Sequence, residues 1–182
     1  MTYESKKQRG FTLVEAMVAI SILSLAVTGP LVIAQKGLGS SIYARDQITA
    51  FYLAQEAVEY IRNVRDSNRI TGTAWLSQFS ACKEDGSGRK CQIDSRYADF
   101  STGGAISSCS SGVCPILSLD TTNNIYGYGS GVDWRPTMFT RIISINETVL
   151  NKEAEISVTI SWNTKLFTPL KTFTIREYIF NF

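Results

Sequence analysis

Gly10-Phe11-Thr12-Leu13-Val14-Glu15 opens the stretch whose reading decides how this chain is built. It leads into FTLVEAMVAISILSLAVTGPLVIA, residues 11–34, a run of 24 residues whose one charge is Glu15. As a helix rising 1.5 Å per residue, the run would extend roughly 36 Å, more than the ~30 Å hydrocarbon core of a bilayer. A secretory signal has an apolar core of about 7–15 residues that ends in small residues, whereas this run is longer and holds a carboxylate near its start. A charge at that depth costs about 2.5–3.5 kcal/mol on insertion scales, so Glu15 calls for a cationic partner. The segment reads as a single transmembrane helix.

Upstream lies MTYESKKQRG, residues 1–10, a short polar leader with Lys6, Lys7 and Arg9 against Glu4. The positive-inside rule keeps such a leader in the cytoplasm and sends the rest of the chain across the membrane. The sequence holds 18 Lys and Arg against 16 Asp and Glu, and without the leader the balance is 15 of each. A neutral chain gives no whole-molecule argument for nucleic acid. Arg62, Arg65 and Arg69 recur at helical spacing and read as a solvated helix face.

Gly10-Phe11-Thr12-Leu13-Val14-Glu15 followed by a long apolar run resembles the processing motif of type IV prepilins and of the pseudopilins of type II secretion. The resemblance implies that a membrane prepilin peptidase cuts between Gly10 and Phe11 and methylates the new amine of Phe11. It further implies that Glu15 pairs with the N-terminal amine of a neighbouring subunit during assembly on an inner-membrane platform. Physical reasoning points the same way: cleavage frees an ammonium about one helical turn before Glu15, supplying the missing cation. Gly29-Pro30 falls inside the apolar run, where proline removes a donor and kinks or locally melts a helix, and a similar break is a feature of the family.

Beyond the apolar run, Lys36-Gly37-Leu38-Gly39-Ser40-Ser41 is a polar crossing point between membrane and head. Helical periodicity then returns, with Ala50, Leu53, Ala54, Ala57, Ile61 and Val64 on one face. Asp66-Ser67-Asn68 and Gly72 mark its end, so one kinked helix of about 55 residues is expected. The wording of residues 51–66 is similar to the corresponding helix of minor pilins of the PilV kind, or of a minor pseudopilin.

Residues 70–136 shift to Ser, Gly, Asn, Asp and Thr, a loop-rich insert with Trp75, Leu76 and Phe79 as a helical turn and brief strands near residues 115–117 and 125–128. Cys82, Cys91, Cys109 and Cys114 all lie here without CxxC spacing, which favours two disulfides of an oxidising compartment over zinc. Three connectivities are open; local pairing of Cys82 with Cys91 and Cys109 with Cys114 closes loops at least entropic cost. Tyr126, Tyr128 and Trp134 read as local core or as a contact surface.

The chain closes on alternating strands, at residues 138–146, 154–162 and 170–182, with Asn146-Glu147-Thr148 and Asn163-Thr164-Lys165 as hairpin-sized connections. An antiparallel meander with one apolar face needs a cover, and the second half of the long helix supplies it. The expected architecture is therefore α+β, a long kinked helix packed on an antiparallel sheet of three to five strands with a disulfide-stapled insert: leader 1–10, transmembrane half-helix 11–34, head half-helix 35–69, insert 70–136 and antiparallel sheet 137–182. This is the pilin layout; the resemblance covers the first 66 residues by motif and the last 45 by arrangement.

The sequence has no histidine, no nucleophile elbow, no phosphate loop and no carboxylate cluster with metal spacing, so neither enzyme chemistry nor a cofactor is expected. Asp120, Asn123 and Asn124 form no clear calcium loop. Expected partners are other pilin subunits, the peptidase, the assembly platform and membrane lipid. Expected placement is the cytoplasmic membrane with an extracytoplasmic head, then a filament. The competing reading is a single-pass anchored protein whose head binds a surface or ligand.

Overall fold

The computed structural model describes residues 10–84, 89–97, 104–164 and 167–182. The leader up to Arg9 and Lys165 lie outside the described residues, and so do the expectations placed on them. The chain divides into two compact units, Met1–Ala44 and Arg45–Phe182.

One helix, α1, Leu13–Thr71, runs through both. It continues without interruption through Gly29 and Pro30, where the sequence suggested a kink or melted turn, and through Gly37 and Gly39. Pro30 forgoes one ladder bond, and each glycine costs about 1 kcal/mol against alanine, amounts that a long helix absorbs. The end is sharper. Gly72 takes φ +72°, its N–H donates to Arg69 O at 3.3 Å, and Thr73 N–H reaches Asn68 O at 2.9 Å. That pair of bonds is a Schellman motif, which satisfies the last carbonyls and turns the chain back toward the sheet.

Among the described residues of the head, seven antiparallel strands share one sheet: β1 Cys91–Ile93, β2 Ile106–Ser108, β3 Ile116–Asp120, β4 Ile125–Gly127, β5 Trp134–Val149, β6 Glu153–Thr164 and β7 Phe167–Phe180. β5, β6 and β7 form the long meander, and β1 and β3 both pair along the other edge of β5, each carrying a short hairpin partner. The insert thus extends the sheet rather than looping off it. Asn146-Glu147-Thr148 is not a turn: Asn146 pairs with Glu155 and Glu147 with Ala154 inside β5 and β6. The turn lies at residues 150–152, where Asn151 adopts φ +57°, and the strand runs past the polar triplet because its ladder to β6 continues as far as Val149 opposite Glu153. Asn163 and Thr164 likewise belong to β6.

Every second residue of the meander faces α1. Phe139, Ile143 and Ile145 of β5, the row from Ala154 to Trp162 of β6, and Ile179 of β7 are buried with Ala50, Leu53, Ala54, Ala57, Ile61 and Val64 of the helix. Small residues at 50, 54 and 57 let the helix sit close to the sheet, and leucine and isoleucine fill the gaps. Truncating one of these fully buried isoleucines to alanine should cost about 2–5 kcal/mol. Trp75, Leu76 and Phe79, around a short 3-10 helix at Ser77–Phe79, close the core from the side.

Candidate functional site

Two features carry chemistry: the start of α1 and a polar cluster under the insert. Gly10, Phe11 and Thr12 precede the helix, so the Gly10–Phe11 peptide lies in non-helical backbone, and a Cβ added at Gly10 would meet nothing within 4 Å. Thr12 is the N-cap. Its hydroxyl accepts from the Glu15 backbone N–H at 3.3 Å, and its carbonyl accepts from Ala16 N–H at 3.1 Å. Thr12-Leu13-Val14-Glu15 is thus a T-x-x-E capping signature, present in the sequence but not read there as one. It starts the helix two residues after the expected cut and sets Glu15 in the first turn, where the positive end of the helix favours a carboxylate.

From Phe11 through Ile33 the large apolar side chains are exposed, Phe11 at 76%, and the apolar window that could cross a membrane has none of its residues buried within the molecule. The hydroxyls of this stretch look after themselves: Ser21 donates to Met17 O, Ser24 to Ile20 O and Thr28 to Ser24 O, all at 2.8–2.9 Å. Such back-bonding satisfies these three hydroxyls without water, as a hydrocarbon environment requires.

In the head, Arg141 stands on the apolar face of β5 and is fully buried. Its guanidinium donates to Leu53 O at 3.0 Å, to Ile93 O at 2.6 Å and to Glu56 Oε2 at 3.0 Å, tying helix, insert and meander to one group. Glu56 also accepts from the Ser95 hydroxyl. Tyr128 lies beside Arg141, and burial pushes its phenol up despite that cation. Leaving such a charge unmatched costs several kcal/mol, so removing Glu56 would hurt more than the pair itself helps.

Next to it, Asp94 is buried and accepts four hydrogen bonds: from Arg96 Nε at 2.8 Å, its terminal nitrogen at 2.5 Å and its backbone N–H at 3.3 Å, and from Tyr128 N–H at 3.1 Å. Burial by itself raises the carboxyl, but the bonds from Arg96 and Tyr128 outweigh it and hold Asp94 below its ordinary range. Arg96 stacks on the Trp134 ring at 4.3 Å. A Cβ on Gly127 would come within 2.4 Å of Arg96, and one on Gly129 within 2.2 Å of Trp134, so both glycines are required by this stack. Of the three aromatics singled out by sequence, Tyr126 and Tyr128 pack against the core and Trp134 serves as the platform for Arg96.

Other sequence candidates fall elsewhere. Cys82 pairs with Cys91 and Cys109 with Cys114. Asp120 spends its carboxylate on Thr122 N–H, Asn123 N–H and the Asn123 amide, capping the β3–β4 turn. Among the described residues no group of three or more metal-ligating side chains comes together. The basic row is matched: Arg62 pairs with Glu59 and Glu177, Arg65 with Asp66, and Arg69 lies over the Phe182 ring at 5.9 Å. The Arg141 cluster was missed in the sequence, although an arginine in the inward register between Phe139 and Ile143 was its sign.

Residues 5–29 match the family model described as the prokaryotic N-terminal methylation motif. No curated protein and no solved structure matches the chain.

Proposed function

We infer that this chain, whose residues 5–29 carry the methylation motif, is a type IV pilin-like subunit, and that its work is to polymerise through α1. The motif's family is structural rather than enzymatic. The observation that carries the reading is Gly10-Phe11 outside the helix, followed at once by a capped, apolar helix with Glu15 in its first turn. Prepilin peptidase cuts between Gly10 and Phe11 and methylates the Phe11 amine. Until assembly, α1 anchors the subunit in the cytoplasmic membrane with the head outside, a placement supported by the basic leader and by two disulfides in the head. In the filament, Glu15 pairs with a neighbour's N-terminal ammonium, and Gly29-Pro30, with its missing donor, is where the helix loosens as it packs. The stapled insert and the PilV-like wording of residues 51–66 favour a minor pilin or pseudopilin over a major subunit.

Intact mass and N-terminal sequence of the protein from its native membrane test this. The expected chain begins at Phe11 and carries one added methyl. A chain beginning at Met1, or beyond the apolar run, would overturn the reading.

A further inference from the structure

Between α1 and the β3–β4 hairpin the head opens a cavity of about 410 Å³, with Thr49, Tyr52, Leu53 and Glu56 on the helix side and Asn124, Ile125 and Tyr126 on the other. That volume suits a small ligand. Its walls are held. Tyr52 is 64% exposed yet meets Phe51 edge-on at 5.8 Å, and Phe51 in turn meets Phe173 at 5.9 Å. On the far side the Asp120 cap fixes the turn, with Asn124 at φ +55°.

The charge of the cavity selects among ligands. Among the described residues Glu56 is the one charged residue of the lining, and its charge is matched by the buried Arg141. A cationic ligand meets no unmatched negative charge, and an anion meets a carboxylate. A purely apolar ligand would leave the Asn124 amide at the cavity edge without a partner, whereas Glu56 and Thr49 keep their bonds to Arg141, Ser95 and Arg45. What remains on offer is a set of hydroxyl, amide and carboxylate groups beside two aromatic rings and the aliphatic Leu53 and Ile125, the complement of a ring with C–H groups on one face and hydroxyls at its edge. We propose that this cavity is a binding site for a neutral saccharide, one pyranose ring resting on Tyr52 with its hydroxyls turned to Glu56 and Asn124. The site lies wholly in the head and stands whether or not α1 polymerises.

Saturation-transfer NMR on the full chain, in a detergent without a sugar headgroup, tests it with maltose, lactose, cellobiose and N,N′-diacetylchitobiose as probes and choline and sialic acid as charged comparators. At least one neutral sugar should bind saturably and neither charged compound should. Tyr52→Ala should weaken binding about tenfold or more while leaving thermal unfolding unchanged, because the ring is exposed. Asn124→Gly, which suits the positive φ, should weaken it without loosening the turn. No saturable binding of the four sugars, binding of a charged comparator in their place, or sugar binding that Tyr52→Ala leaves intact would overturn the proposal.

Discussion

Asp94 shows how one carboxylate can govern the acid tolerance of the head. It is buried among four donors, and the resulting depression of its pKa means that the folded state favours the ionised form more than the unfolded chain does. The sign follows from linkage: its contribution is complete above the unfolded carboxyl value of about 4 and is lost as pH falls through the lower folded value. Arg96 stays charged and Tyr60 and Tyr128 stay neutral over that window, and Asp120, which its bonds to Asn123 and Thr122 also hold low, is common to parent and Asp94 variant, so the difference between the two proteins belongs to Asp94. Asp94→Asn should therefore be clearly less stable than the parent at neutral pH, and the gap should narrow below about pH 4. Thermal unfolding of both proteins across that range is the check; a gap that stays constant down to strong acid would mean that the Arg96 and Tyr128 bonds do not depend on the charge.

At the scale of elements, what the sequence made legible was what repeats. Apolar residues at helical spacing from Ala50 to Val64 and alternation in the last strands rest on many side chains acting together, so both elements and their facing surfaces could be read. Single events were harder. The T-x-x-E cap depends on one hydroxyl, and the Arg141 cluster depends on residues 56, 95 and 141 that only the fold brings together. The short strands β1 and β2 are too brief for a periodic signal, and the disulfides help to hold them. Cys82–Cys91 is buried and fastens β1 beside the segment whose Cys82 carbonyl accepts from Ile145 N–H at 2.9 Å, whereas Cys109–Cys114, buried at Cys114 and half-buried at Cys109, closes a shorter loop. Loop-closure entropy gives about 2–3 kcal/mol for rings of these sizes, and the buried bridge adds lost core contacts. Replacing Cys82 and Cys91 together by alanine should lower the unfolding free energy of the head by about 2–4 kcal/mol, and replacing Cys109 and Cys114 by less. Urea unfolding followed by circular dichroism would read both, and the reverse order would show that the outer bridge carries the insert.

For the molecule as a whole, the decisive question is what Glu15 is for. A protein that remained a simple anchor would do better without it, since a carboxylate in hydrocarbon costs about 2.5–3.5 kcal/mol and the adjacent apolar residues already suffice to span. Its retention makes sense if the charge is repaid elsewhere, and a neighbour's freed ammonium is the partner that cleavage after Gly10 would create. In that arrangement the pair sets axial register, because any slip leaves two charges alone in low dielectric at about 3–5 kcal/mol. The two states then respond oppositely to Glu15→Ala. The membrane form keeps its helix and loses an unfavourable charge, so its level should hold or rise. The filament gains an unpaired ammonium at every incorporated copy, so the amount recovered in sheared filaments should fall about a hundredfold or more. Quantifying parent and variant in sheared and membrane fractions of the same cells separates these effects. Equal incorporation of Glu15→Ala would remove the register role, and a parent protein that never leaves the membrane fraction would identify an anchor whose head alone does the work.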